Sequence, residues 1–209
     1  MTLTLALPTG RLFEETKSLL SRCGMSVSDE ALTHRQLRIA AGEITLVLAK
    51  DRDVPTYVEH GVADAGVVGK DVLAEQAPEV YEPLDLGVGR CRMVVARPRQ
   101  SGGKSYRDRS VVRVATKYPR VTTTYFHRDG IPVEVIPLSG SVELAPLLGL
   151  SDVIVDVVQT GRTLEANGLE IGEVLFESTA RLIVNRASFR LENDAVRGLI
   201  RRLEEGVRA

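Results

Sequence analysis

Asp152-Val-Ile-Val-Asp-Val-Val-Gln-Thr-Gly-Arg-Thr-Leu164 runs from a β-branched apolar stretch, through a glycine turn, into the start of a helical pattern. A short apolar run bounded by a turn reads as a strand buried on both faces, and Leu164-Glu-Ala-Asn-Gly168 has room for one or two helical turns. A buried strand handed directly to a helix is the unit of an α/β fold. The same pattern recurs at the N-terminus. Leu3 to Leu7 reads as a strand and Pro8-Thr9-Gly10-Arg11 as a turn; Leu12, Thr16, Leu19, Leu20 and Cys23 then recur at helical spacing, with Gly24 placed to stop the helix.

Further strands are predicted at Ile44 to Ala49, Ala65 to Val68 and Arg92 to Ala96, with helices starting near Val54 and Lys70. Arg97-Pro-Arg-Gln-Ser-Gly-Gly-Lys-Ser-Tyr106 is a surface loop by its Pro and Gly content. A second alternating set follows, with strands at Val111 to Ala115, Val133 to Ile136 and Val153 to Val157. Helices fit from about Tyr118 to Arg128 and from about Ser141 to Leu148. Val174 to Phe176 and Arg181 to Val184 are the last predicted strands, and a helix from about Leu191 to Arg208 closes the chain. The expectation is an α/β protein of two lobes with mostly parallel sheets, residues 1–90 with 180–209 and residues 91–179. An interlobe cleft would hold the ligand, because ligands of open α/β sheets lie off the carboxyl ends of strands.

Composition narrows the function. With 27 Lys and Arg against 28 Asp and Glu over 209 residues, no global field favours nucleic acid or an anionic membrane, so an anion site must be local. No apolar run is long enough to span a bilayer and the N-terminus lacks the pattern of a secretory signal, which leads to the expectation of a cytoplasmic protein. Cys23 and Cys91 form no disulfide framework and have no adjacent His. His34, His60 and His127 are too dispersed for a sequence-local zinc motif and read as surface or satisfied residues.

Chemistry concentrates around the opening stretch. Gln159-Thr-Gly-Arg-Thr163 aims backbone N–H groups, two Thr hydroxyls and a helix start at one point, a geometry that binds phosphate, and Gly161 lets the backbone come close. A plain capped helix start would look the same, so the loop alone leaves both readings open. Asp156 at the strand end could hold hydroxyls of a sugar attached to that phosphate. Upstream, Ser139-Gly-Ser-Val-Glu143 follows a strand, with Ser141 placed to cap the next helix and Glu143 in its first turn. Two carboxylates beside a phosphate loop accept hydrogen bonds from ribose hydroxyls or help to place Mg²⁺.

The stretch from Glu143-Leu-Ala-Pro to Gln159-Thr-Gly-Arg-Thr-Leu-Glu-Ala-Asn-Gly168 resembles the signature of ATP phosphoribosyltransferases. The resemblance extends through Ala6-Leu-Pro-Thr-Gly-Arg11, Asp53-Val-Pro-Thr-Tyr-Val-Glu-His-Gly61, Gly66-Val-Val-Gly-Lys-Asp-Val-Leu73, Ala115-Thr-Lys-Tyr-Pro119 and Ser178-Thr-Ala-Arg-Leu-Ile-Val-Asn185. It implies the fold of periplasmic type II binding proteins and transfer of a phosphoribosyl group from phosphoribosyl pyrophosphate to N1 of ATP, the first step of histidine biosynthesis. Ordinary phosphoribosyltransferases differ in placing two adjacent acids before Thr-x-Gly.

By this resemblance Glu143, Asp156, Gln159, Thr160, Gly161, Arg162 and Thr163 would bind phosphoribosyl pyrophosphate, and Gly10, Arg11 and Asp71 would contact ATP. Lys50 and Arg35 would act on the leaving pyrophosphate, with Arg38 and Arg52 nearby in sequence and Mg²⁺ carried on the substrate phosphates. A helix cap is an equally good reading of Asp71. Thr9 stands where the family usually has Lys, and Lys50 where it usually has Arg, which keeps the charge but not the planar fork. The resemblance is to the short form of the family, which implies a homodimer of catalytic chains and a regulatory partner related to histidyl-tRNA synthetase in a hetero-octamer. The rival readings are a phosphoribosyltransferase for another base and a solute-binding protein of the same fold.

Overall fold

Alternate residues of strand β1 (Leu3–Pro8) enter different apolar clusters, Leu3, Leu5 and Leu7 on one face and Ala6 on the other, so this strand is covered on both sides. The structure is a computed structural model that describes residues 2–25, 36–99, 105–190 and 194–208. After β1 come α1 (Arg11–Arg22), β2 (Arg38–Ala41), β3 (Ile44–Ala49), α2 (Val54–Glu59), β4 (Ala65–Gly69), α3 (Lys70–Gln76) and β5 (Tyr81–Asp85). Then follow β6 (Cys91–Pro98), a 3-10 turn at Tyr106–Asp108, β7 (Val112–Thr116), α4 (Pro119–Arg128), β8 (Val133–Pro137), α5 (Leu144–Leu147), β9 (Val153–Val158), α6 (Arg162–Ala166) and β10 (Leu169–Ser178). The chain returns through β11 (Ala180–Val184), α7 (Arg186–Arg190) and α8 (Asp194–Arg208).

Contacts divide these elements into two compact units, Met1–Arg90 with Thr179–Ala209, and Cys91–Ser178. In the first, a six-stranded sheet in the order β2-β3-β1-β4-β11-β5 has helices on both faces. Phe13, Leu19 and Leu20 of α1 with Val196, Leu199 and Leu203 of α8 cover one face; Val54 and Val58 of α2 with Val72 and Leu73 of α3 cover the other. Gly66 in β4 marks how closely α2 packs, since a Cβ there would lie 2.8 Å from both Val54 Cγ1 and Val58 Cγ2. The second unit is a five-stranded sheet in the order β10-β6-β9-β7-β8. Val142, Ala145 and Leu164, around α5 and α6, cluster with Val94, Ala96, Ile154 and Val158 of the strands.

Both sheets are mixed, which corrects the expectation that they are mostly parallel. β1 is parallel to β3 and β4, and β7 to β8 and β9; β2, β5 and β11 in the first sheet and β6 and β10 in the second pair antiparallel. Gly42 and Glu43 alone join β2 to β3, and a hairpin that short allows only antiparallel pairing. The two chain crossings between units likewise enter as β6 and leave through β10. The helix expected from Ser141 to Leu148 is shorter, and the start of the last helix at Leu191 lies outside the described residues.

The α1 to α8 contact is tight enough to test. A Cβ on Gly206 would sit 2.2 Å from Cys23 Sγ. Gly206→Ala, which ordinarily favours a helix, is therefore expected to lower stability by about 1 to 3 kcal/mol through overpacking. Thermal unfolding checks it: a lower Tm in Gly206→Ala, recovered when Cys23→Ala is added, is the expected pattern, and an unchanged Tm would show that the thiol swings clear.

Candidate active site

In the second unit β7 lies between β8 and β9 and runs parallel to both, so the turns after all three emerge at one edge of the sheet. That edge gathers Lys117 and Tyr118, the segment from Leu138 to Glu143, and Gln159 to Thr163. Thr116 fixes the first turn: its buried hydroxyl donates to Val155 O (2.7 Å) and accepts from Tyr118 N (2.8 Å). Lys117 Nζ then comes within 3.5 Å of Asp156 Oδ2.

Asp156 is only 6% exposed, and its Oδ1 accepts from Val157 N at 2.9 Å. Burial raises its pKa, the charge of Glu143 pushes the same way, and the Lys117 ammonium opposes both. The sequence pairs Asp156 with Glu143 but does not by itself mark Lys117 as a site residue. The available signal was a Lys between a strand ending at Thr116 and a helix opening with Pro119, the position where α/β sheets place ligand-binding groups.

The loop after β9 is anchored from both sides and open between. Val158 and Leu164 are buried in the same cluster, whereas Gln159, Thr160, Arg162 and Thr163 are exposed. Gly161 caps α6 at φ +82°, in the left-handed region, so the turn itself requires glycine. Asn167 closes the short helix by donating from Nδ2 to Thr163 O (2.8 Å). The first turn of a helix leaves amides without intrahelical partners, here beside two Thr hydroxyls and the Arg162 guanidinium.

The expected Ser141 cap is corrected. Glu143 occupies the N-cap position of α5, the cap makes no side-chain hydrogen bond, and Ser141 is exposed at φ +48°. Ser141 instead accepts from Leu144 N through its backbone carbonyl (3.1 Å), because the tight turn consumes the residues a longer helix would use.

The first unit has an equivalent edge. β1 lies between β3 and β4, all parallel, and Thr9 N donates to Ala49 O (2.8 Å), so the Thr9-Gly10-Arg11 turn adjoins Lys50. Gly10 sits at φ +87° with nothing within 4 Å of a Cβ position. Arg11 is exposed, with Nε 3.9 Å from Glu15 Oε1. Lys50 is exposed at the start of the turn that leads to α2, and its carbonyl accepts from Asp53 N (2.9 Å). Asp71 is 8% exposed, and its Oδ1 lies 2.3 Å from where a Gly69 Cβ would be, so it folds back over the turn that opens α3. Arg35 and His34 lie outside the described residues. Among the described residues no group of three or more His, Cys, Asp or Glu could hold a metal ion.

Residues 50–205 match the family described as HisG, ATP phosphoribosyltransferase. The chain belongs to the ATP phosphoribosyltransferase family. It is 51% identical over 203 residues to an ATP phosphoribosyltransferase of Deinococcus deserti, covering 97% of this chain and 92% of that protein. Among solved structures, the ATP phosphoribosyl transferase (HisG:HisZ) complex from Thermotoga maritima is similar at TM-score 0.82 and 37% identity, covering 99% of this chain and 98% of that one. The periplasmic aliphatic sulphonate binding protein SsuA from Escherichia coli is similar at TM-score 0.60 and 13% identity, covering 98% of this chain and 72% of that one. This last likeness concerns the fold alone, that of the two-lobed periplasmic binding proteins.

Proposed function

We propose that the chain transfers the 5-phosphoribosyl group of phosphoribosyl pyrophosphate to N1 of ATP, releasing pyrophosphate and giving N1-(5-phosphoribosyl)-ATP, the first step of histidine biosynthesis. The observation that carries the site is the second unit's edge, where a buried carboxylate at Asp156 adjoins an exposed, glycine-capped Thr-Gly-Arg-Thr turn. A sugar phosphate has the matching chemistry. Thr160, Gly161, Arg162, Thr163 and Gln159 take the 5′-phosphate, while Asp156 and Glu143 accept hydrogen bonds from the ribose hydroxyls.

Bond cleavage at C1 builds positive charge on the ribose and negative charge on the departing pyrophosphate. Adenine N1 brings its own lone pair, so the reaction needs cations at the leaving group more than a strong base. Lys50 supplies one such charge and Arg35 another, and Gly10, Arg11 and Asp71 contact ATP. Mg²⁺ would be held by the substrate phosphates, where it would supply neutralisation of part of their charge.

A homodimer of catalytic chains joined to a regulatory subunit resembling histidyl-tRNA synthetase, in a hetero-octamer, is part of the same proposal; the similarity to a chain solved as a HisG:HisZ complex supports a partner subunit. A cytoplasmic location belongs to the same proposal, and no helix among the described residues is long and apolar enough to cross a membrane. Purified chain incubated with Mg²⁺, ATP and phosphoribosyl pyrophosphate tests the proposal through pyrophosphate release and adduct absorbance. Release that requires ATP is expected. Release with another base but not ATP would move the acceptor, and tight binding without turnover would favour a solute-binding protein.

A further inference from the structure

We infer that Lys117 is a positioning residue that keeps the Asp156 carboxylate charged and aimed for the ribose hydroxyls. The inference rests on the reading of this edge as the phosphoribosyl pyrophosphate site. The geometry carries it. The Asp156 side chain is 8% exposed and that of Lys117 31%, so the ammonium reaches in from the rim to a carboxylate that solvent barely touches, at 3.5 Å. The turn that aims Lys117 is not free to drift, because the buried Thr116 hydroxyl ties it to the β9 backbone one residue before Asp156.

The surroundings of Asp156 explain why the charge is needed. Glu143 approaches from the start of α5 and adds negative charge. On the other side β6 places Val94 across from Asp156, and Arg92 lies one pleat beyond, across from Val158. An apolar neighbour, a like charge and burial all favour the protonated acid. A protonated Asp156 loses acceptor capacity and donates instead, so it would bind a pair of vicinal hydroxyls less well than the ionised form. Lys117 is in contact with it through Oδ2 and Val157 N through Oδ1, and each ionised carboxylate oxygen has a further lone pair with which to accept from a ligand.

Lys117→Met and Lys117→Arg, assayed for KM of both substrates between pH 6 and 9 and expressed as ratios to the unchanged protein at each pH, test the inference. Without the ammonium the Asp156 carboxyl protonates at higher pH. In Lys117→Met the KM for phosphoribosyl pyrophosphate, as a ratio to the unchanged protein, is therefore expected to climb toward the acid end, by at most about tenfold for each pH unit by which the carboxyl's titration moves up, and to fall back toward one at the alkaline end. KM for ATP should move little, and Lys117→Arg should restore the profile. A loss equal at every pH would mean that Lys117 touches the substrate phosphates directly and would overturn the inference, as would no loss at all. Asp156→Asn separates the two layers. If it leaves the KM for phosphoribosyl pyrophosphate unchanged, the site reading itself fails; if it raises that KM at every pH while Lys117→Met shows no pH-dependent change, only the role of Lys117 fails.

Discussion

Lys50→Ala is expected to lower kcat by about two to three orders of magnitude, the scale seen when one electrostatic stabiliser of developing negative charge is removed. The charge on pyrophosphate grows as the C1 bond breaks, so a cation there stabilises the transition state more than the bound substrate, and both KM values should change by much less than kcat. Lys50 suits the part because it is exposed beside the Thr9-Gly10-Arg11 turn, and its ammonium has no ion-pair partner among the described residues that would have to be broken. Lys50→Arg should retain or raise activity, since the planar fork keeps the charge and adds bidentate contact with phosphate. Steady-state kinetics with each substrate varied in turn decides it. A kcat within a factor of three of the unchanged protein would move the role to Arg35 or Arg52.

Gly161→Val is expected to lower kcat/KM for phosphoribosyl pyrophosphate by about one to two orders of magnitude, which corresponds to the roughly 1 to 3 kcal/mol needed to hold a side-chain-bearing residue in a disfavoured backbone region. The cost arises from the backbone at φ +82° and not from crowding, because the nearest atom to an added Cβ is Val158 Cγ1 at 4.0 Å. The loop would relax to a negative φ and turn the following amides away from the phosphate. Global stability should fall by little, since no core contact is lost. Gly161→Asn is the control: asparagine tolerates the left-handed region and should retain much more activity than valine. Thr160→Ala should cost a further donor, about 1 to 3 kcal/mol if the phosphate is partly desolvated. A folded Gly161→Val protein with unchanged kinetics would overturn the assignment of the phosphate loop.

Central strands were legible, and the two edge strands of the first sheet were not. β1, β3, β4, β7 and β9 are apolar runs flanked by turns, and they occupy interior positions of the two sheets. β2 and β5 lie at the two edges of the first sheet, where only one side of each is paired. Among the residues of β2 only Ile39 is buried, and β5 carries Pro83. A half-paired, half-wet strand has neither the apolar run nor the strict alternation that a sequence pattern needs. The short helix α7 was likewise missed, since it buries no residue and leaves no periodic stripe.

For the candidate site, local sequence determined what local backbone physics controls. The strand leading to Asp156, the left-handed turn at Gly161 and the helix after it are contiguous, and a β-branched run followed by Thr-Gly-Arg-Thr has few other ways to fold. Only the tertiary structure decided the rest. Lys117 and Asp156 are 39 positions apart, and their contact exists because β7 pairs with β9 in one register, Thr116 beside Val155. A slip of one residue would turn every side chain of that strand to the opposite face. That register is set by apolar packing on both sides of the sheet and by buried hydrogen bonds such as that from Thr116 to Val155, which are sums over distant residues that no local pattern records.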